Sequence, residues 1–361
     1  MFRVYNFAAG PAMMPEEVLV RAQQEMWNWQ DTGVSVMEIG HRTNVFQDML
    51  TQLESKIRGL MKIPNNYKVL FLAGGGQGQF SFAPMNLTGK NKKVDYIVSG
   101  IWSERAAKYA SRYADVNIVT TASLTTIAQS TEWNLSSDAA YVYYCPNETI
   151  NGFQMHTVPE TNGVPIVADF TSSILSIDID VSKYGVIFAS AQKNLGISGI
   201  TLVIVRDDLL DQAQHCTPEV FSYKAQAEQK SLLNTIPVLP VYMMDLMIDW
   251  IINSQGGLNK VVENNLRKAE KIYTAIDESN GFYTNNIEIA YRSLVNIPFN
   301  LPSDELVKHF LIEAAQEGLA YLNGHKLVGG VRVSIYNALP EAGVDKLIIF
   351  MNAFAKKYSK Q

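Results

Sequence analysis

The stretch "FASAQKNLGISG", residues 188–199, sets a single lysine, Lys193, between an apolar run and a glycine-containing turn. Taken alone, a lysine at a strand end lays its stem along apolar surface and carries its ammonium to water. Asp169 sits in the preceding apolar run "PIVADF", 24 residues earlier, where an unpaired carboxylate would be costly to bury. An N-cap or an ion pair would account for that aspartate in isolation. A strand–loop–strand unit of this length also brings both residues to one edge of a sheet. Trp102, after "VDYIVS", and Thr149, after "AAYVYYC", come from neighbouring strand ends. In open α/β sheets ligands collect outside the carboxyl ends of the strands, so this convergence marks a candidate site.

The glycine loop Gly74–Gly78 follows "KVLFLA" and leads into a helix, a junction whose free backbone N–H groups bind phosphate. It does not satisfy G-x-G-x-x-G, because Gln79 stands where the third glycine would fall, and it lacks the Gly-Lys-Ser/Thr ending of a P-loop. Nucleotide-dependent dehydrogenases and kinases both lose ground. A lysine for a Schiff base, an acid for a pyridinium nitrogen, a phosphate cradle and an aromatic face together meet the needs of pyridoxal 5'-phosphate. The acid keeps the ring nitrogen protonated, so the ring accepts electrons when a substrate Cα loses its proton. The lysine, displaced by the incoming amine, then serves as the base that moves that proton.

The elements that must position these residues follow from the apolar pattern. Seven short runs, "KVLFLA", "VDYIVS", "VNIVTT", "AAYVYYC", "PIVADF", "YGVIFAS" and "ITLVIV", lack polar alternation and fit strands covered on both faces. The periodic segment "WSERAAKYASRY" between two of them is the βαβ signature of a mostly parallel sheet. Upstream, Pro15 opens one helix and a second runs from about Thr43 to Met61, with the polar-tipped loop "GVSVMEIGHRTN" between them. Beyond "NSQGG" come a long helix from Leu258, the run "YRSLVNIPFN", a helix with Ser303 as N-cap and Gly318 as stop, the strand "GVRVSIYN" and a terminal helix. The expected fold class is α/β: a large domain over residues 16–257 with a mostly parallel seven-stranded sheet, and a smaller α+β C-terminal domain over 258–361, joined by an N-terminal arm, residues 1–15.

With 361 residues, 47% of them hydrophobic, the chain can bury such a core. Its formal charge of −5 argues against a general affinity for nucleic acid or an anionic membrane, so an anionic substrate must be held by a local cationic site. The most apolar long segment, from Ile236, carries two prolines and two aspartates and reads as a soluble core helix rather than a membrane span. Two cysteines, Cys145 and Cys216, are too few for a disulfide framework, and "MFRVYNFAAGPAMMP" lacks the apolar core of a signal peptide. A cytoplasmic protein is expected, with no metal.

Eight blocks in order, "YNFAAGPAMMP", "GHRT", "GGGQGQF", "YYCPNETINGF", "ADFTSSILS", "AQKNLGISG", "LLNTIP" and "GHKLVGGVRVSIYNA", give the chain a specific likeness over nearly its whole length. It resembles the phosphoserine aminotransferases, a family of class V, fold-type I enzymes that depend on pyridoxal phosphate. The resemblance implies that Lys193 is the Schiff-base lysine, Asp169 the pyridinium partner, Trp102 the stacking aromatic and Thr149 a hydroxyl near the ring oxygen. Backbone amides of Gly76 and Gln77, with the Gln192 side chain, would hold the cofactor phosphate. Asn234 and Thr235 resemble the pair that family members contribute from the second subunit, which implies a homodimer with shared active sites. Arg332 resembles the clamp for the α-carboxylate. His41, Arg42 and His325, with Lys326, resemble the group that receives the distal phosphate or γ-carboxylate. Some relatives carry arginine at the positions of Gln77 and Lys326, and a hydroxyl residue at that of Ala9; lysine keeps the charge but not the bidentate fork. The implied reaction moves the amino group of L-glutamate to 3-phosphohydroxypyruvate, giving O-phospho-L-serine and 2-oxoglutarate in serine biosynthesis. A phosphorylated threonine analogue of pyridoxine biosynthesis is a second implied substrate. Within the same class the rivals are an alanine–glyoxylate aminotransferase and a cysteine desulfurase, which needs a mobile nucleophilic cysteine.

Overall fold

The computed structural model describes residues 3–123 and 125–359. Each of the seven apolar runs forms a strand: β1 Tyr67–Leu72, β2 Lys93–Val98, β3 Asp115–Thr121, β4 Val142–Tyr144, β5 Ile166–Asp169, β6 Val186–Ser190 and β7 Thr201–Arg206. They make one sheet in the order β1-β7-β6-β5-β4-β2-β3. All neighbours are parallel except at β7, which is antiparallel to both β1 and β6. The direction of β7 has a simple cause. Only residues 191–200 separate it from β6, and a parallel return needs a crossover of a dozen or more residues, usually a helix.

The pleat sends alternate side chains to opposite faces. Val69, Phe71, Tyr144, Ala168, Ile187 and Ile204 join an apolar cluster with helices α1 Glu16–Glu25, α2 Asn44–Met61 and the Val238–Asp249 helix. Leu70, Leu72, Tyr143, Val167, Phe188 and Val203 face a second cluster under α3 Gly75–Leu87 and α4 Ile101–Ala110. Both faces being covered explains why the strands show no polar alternation. Along α2, the buried Phe46, Met49, Leu50, Leu53, Ile57 and Met61 recur at helical spacing, and the helix stops at Lys62 in the left-handed conformation.

A third cluster lies in the C-terminal part, where the antiparallel strands Asn296–Phe299 and Val331–Ser334 pack with the helices Leu258–Asp277, Asp304–Gln316 and Glu341–Tyr358. Ser303 caps the second of these, accepting from the Leu306 N–H. Tyr5–Asn6 of the N-terminal arm pairs in parallel with Leu319–Ala320, and Phe7 is fully buried in this cluster. The arm thus belongs with the C-terminal packing, although it also crosses the large sheet's edge: the Ala12 N–H donates to the Gln192 carbonyl at 2.9 Å.

Candidate active site

The carboxyl ends of β1, β2, β4, β5 and β6 converge on one cavity of about 270 Å³. Gly74–Gln77, Trp102, Thr149, Asp169, Gln192 and Lys193 all line it. Asp169 ends β5 and lies in register with Phe188 of the adjacent β6, so the turn after β6 swings Lys193 back over the same edge. Lys193 is only 8% exposed, and its Nζ donates to Thr149 Oγ1 at 2.6 Å. Burial pulls its pKa down to about 8, although the Asp169 charge acts to raise it. Asp169, also buried, is pushed up by desolvation against the N–H of Thr171, which donates to Oδ1 at 2.9 Å, and against Lys193. No cation lies within ion-pair distance of Asp169 among the described residues.

At the N-terminus of α3 the first backbone bond is Gly78 N–H to Gly74 carbonyl at 3.1 Å, so the N–H groups of Gly75, Gly76 and Gln77 have no helical acceptor. Gly74 must be glycine: its φ is +110°, and a Cβ would lie 2.8 Å from the Phe82 ring. Gly76 is less constrained, with a Cβ coming within 3.1 Å of Thr171 Oγ1. Gln192 is oriented by Ser190, whose Oγ donates to its Oε1 at 2.6 Å, which leaves the Gln192 amide nitrogen for an anion. The Trp102 indole N–H is buried without an acceptor. A row of free N–H groups, an unpaired carboxylate and a desolvated lysine fit a ligand with a phosphate, a protonated ring nitrogen and an amine-reactive carbon, which are the parts of pyridoxal phosphate.

Three contributors escaped the sequence reading. Glu148, fully buried beside Thr149, accepts from the N–H groups of Trp102 at 2.9 Å and Ser103 at 2.8 Å and from Ser103 Oγ at 2.6 Å. It caps α4 and so fixes the helix that carries Trp102. A Cβ on Gly100 would meet its carboxyl at 2.6 Å, so the glycine after β2 is required by that carboxylate. Arg105, one turn beyond Trp102, has its guanidinium carbon 4.9 Å from the Trp102 ring centre. Gly10 of the arm packs on the Lys193 stem, where its Cβ would lie 3.7 Å from Cε. A carboxylate in the loop after a strand signals a cap only once the helix it faces is known.

On the substrate side, Arg332 is half-buried in its strand, and its Nη1 reaches the Thr149 carbonyl at 3.5 Å. His325 and Lys326 lie in the preceding loop. The Leu327 N–H donates to His325 Nδ1 at 3.3 Å, which places the ring proton on Nε2, and burial with the nearby charges of Arg332, Arg105 and Lys326 lowers the imidazole pKa. Seven residues named from the sequence are not among those lining this cavity: Arg332, His325 and Lys326, just described, and four that lie elsewhere. His41 and the exposed Arg42 contact each other at 3.3 Å in the loop between α1 and α2. Asn234 accepts from Gln226 Nε2 at 2.8 Å beside a separate cavity of about 140 Å³, and Thr235 is exposed.

Residues 4–347 match the family model described as aminotransferase class-V. A phosphoserine aminotransferase from Acinetobacter baylyi is 49% identical over 360 residues, covering 99% of this chain and 99% of that protein. Among solved structures, a phosphoserine aminotransferase from Bacillus circulans subsp. alkalophilus superposes with a TM-score of 0.95 at 40% identity, covering 98% of this chain and 99% of that one. A phosphoserine aminotransferase with bound PLP, from Trichomonas vaginalis, gives a TM-score of 0.93 at 38% identity, with 97% and 100% covered.

Proposed function

The chain belongs to the class-V aminotransferase family, and from that premise we propose that it is a pyridoxal-phosphate-dependent phosphoserine aminotransferase. It would pass the amino group of L-glutamate to 3-phosphohydroxypyruvate, releasing 2-oxoglutarate and O-phospho-L-serine. The observation that carries the reading is the buried pair Lys193 and Asp169 on one cavity, with Arg332 reaching the Thr149 carbonyl beside it.

When bound, pyridoxal phosphate supplies an electron sink for the pair left on the substrate Cα as its proton departs. The rest falls to the chain. Lys193, held at its Nζ by Thr149, has its pKa pulled down by burial to about 8, so a fraction of the amine carries a lone pair near neutral pH and can take and return the Cα proton. Asp169 would hold the proton of the ring nitrogen, since its buried carboxylate lacks another cation. The N–H groups of Gly75, Gly76 and Gln77, with Gln192, would bind the cofactor phosphate, and Trp102 would cover the ring on the helix seated by Glu148. Arg332 would clamp the α-carboxylate, with His325 and Lys326 near the distal anion. Gly10 and the arm around it shield the Lys193 stem from water.

The same reading makes the chain a homodimer in which Asn234 and Thr235, and His41 with Arg42, complete the partner's site. Their placement away from this chain's own cavity supports it. The division at residues 16–257 and 258–361 accords with the separate apolar clusters of the sheet and the C-terminal part. A cytoplasmic location accords with two free cysteines and with the absence, among the described residues, of a helix long and apolar enough to cross a membrane. A desulfurase is disfavoured because Cys145 is buried, with its thiol pKa pushed well up by desolvation, while the exposed Cys216 lies off the cavity.

The test is a half-reaction. O-phosphoserine, serine and alanine are added separately to the purified, coloured protein, and the visible absorption band is followed. Phosphoserine is expected to bleach the band at the lowest concentration. Protein that takes up no pyridoxal phosphate would end the cofactor assignment, and equal response to alanine would end the substrate assignment.

A further inference from the structure

A chain of buried polar side chains runs from the cavity wall into the C-terminal part of the molecule. It begins at Asn147 and Ser172, which line the cavity, and continues through Asn296, Ser293, Ser334 and Tyr336, all of them buried. Asn147 Nδ2 donates to Ser172 Oγ at 2.8 Å and to Asn296 Oδ1 at 2.9 Å, while its Oδ1 accepts from Ser293 Oγ. Asn296 Nδ2 in turn donates to Ser334 Oγ at 2.9 Å and to the Tyr336 hydroxyl at 3.2 Å. That hydroxyl donates to the Ala9 carbonyl of the N-terminal arm at 2.8 Å. Each asparagine thus uses both its N–H donors and its carbonyl. Apolar side chains of similar shape would hold the two parts together as well, whereas a fully paired polar network admits one arrangement.

What this arrangement places is Arg332. Asn296 lies opposite Ser334 in the antiparallel strand pair, and Arg332 precedes Ser334 by two residues, so the two side chains project from one face of their strand. At the other end, Asn147 stands two residues before Thr149, whose Oγ1 accepts from Lys193 Nζ at 2.6 Å. Arg332 Nη1 reaches the Thr149 carbonyl at 3.5 Å, a contact too long to fix the guanidinium, so its position depends on its strand. The Tyr336 ring centre is 6.0 Å from Lys193 Nζ, which brings the far end of the network back to the same amine. We propose that Asn296 is a positioning residue: it ties the strand of Arg332 to the cavity wall and so sets the separation between the α-carboxylate clamp and the Lys193 amine. The inference rests on the aminotransferase reading above, in which Arg332 holds the α-carboxylate. Asn296 does not itself line the cavity and acts only through the clamp. A displacement of about 1 Å in such a geometry costs on the order of 100-fold in rate.

The experiment is a double-mutant cycle on the holoenzyme with Asn296→Ala and Arg332→Met. Retention of the visible band and of the far-UV circular dichroism shows that each variant is folded and loaded. The second-order rate constant for bleaching by O-phosphoserine, taken well below saturation, is then measured for wild type, both single variants and the double variant. Asn296→Ala alone should lower it by about 10- to 100-fold. In the Arg332→Met background the same substitution should cost less than about twofold, because no clamp is left to position. Ser334→Ala removes one partner of Asn296 and leaves the rest of the network; it replaces Asn296→Ala in the cycle should that variant not fold, with a smaller cost that vanishes in the same way. Equal costs in the two backgrounds would overturn the inference, since Asn296 would then act on the fold or on the cofactor rather than through Arg332. Wild-type rates in the single variant used would overturn it too. An Arg332→Met enzyme as fast as wild type would instead bring down the reading of Arg332 as the carboxylate clamp, and the inference with it.

Discussion

Two lysines are buried among the described residues, in two regions that treat them differently. Lys193 stands at the carboxyl edge of the large sheet; Lys268 lies on the Leu258–Asp277 helix, beside the chain that links the last strand to the terminal helix. Burial lowers both pKa values, to about 8 for Lys193 and about 7 for Lys268. Their surroundings diverge. Lys268 Nζ donates to three carbonyls, of Leu339 at 3.1 Å, Tyr336 at 3.2 Å and Ile335 at 3.4 Å, which uses all its donors and leaves no room for a ligand. Lys193 makes one strong hydrogen bond, to Thr149, and lines a cavity with Asp169 opposite. A lowered lysine pKa therefore marks burial; the unfilled cavity beside the amine marks chemistry.

The largest expected effect separates the two outright. Lys193→Ala should lower turnover by roughly 10⁴-fold or more with little loss of stability, measured by steady-state assay and thermal melting. A variant retaining a tenth of the activity would break the contrast. Lys268→Met should do the reverse, costing about 2 kcal/mol at pH 9 through carbonyls left without a donor, with turnover per folded molecule retained. That cost depends on pH with a definite sign. The folded pKa of Lys268 lies below its unfolded value, so the unfolded chain binds the extra proton between about 7 and 10.5. Wild-type stability relative to Lys268→Met should therefore rise as pH increases through that window, and urea unfolding at pH 6 and pH 9 giving the same difference would contradict the assignment.

Accessibility sharpens the comparison further. Amine-directed acylation of cofactor-free protein at pH 8.5, read by peptide mass mapping, should modify Lys193 about tenfold faster than Lys268, because reaction at Lys268 requires local opening. Faster labelling of Lys268, in line with its lower pKa, would refute that. The smallest effect is expected from Thr149→Val. Removing the acceptor that favours the charged amine should move the pH midpoint of Lys193 labelling below about 8. An upward shift would mean that Thr149 acts chiefly on the neutral form.

The seven strands were legible because strands covered on both faces read as unbroken apolar runs, and their ends named Asp169, Thr149 and Lys193 without knowledge of their order in the sheet. The second helix showed itself through the spacing of Phe46, Met49, Leu53 and Ile57. Glu148 and Arg105 gave no such signal. In sequence Glu148 is one polar residue among "PNET", and its role exists only because the N–H groups of Trp102 and Ser103 end up facing it. Arg105 reads as one more polar residue of an amphipathic helix, and its seat over the Trp102 ring shows only in the folded structure. The reversed direction of β7 is a different case: an apolar run looks the same from either end, and only the short link 191–200, too short for a parallel crossover, carries the signal.

By itself the sequence determined what is local: which segments form strands and helices, where the glycines permit a sharp turn into α3, and which residue types stand at the strand ends. Periodicity and backbone sterics act over a few residues and need no partner. The tertiary structure alone decided which of those residues share a cavity, which buried lysine keeps a free face, and which carboxylate seats the helix of Trp102. Those outcomes depend on contacts between segments as far apart as Thr149 and Arg332, whose energies arise only when the chain has closed on itself.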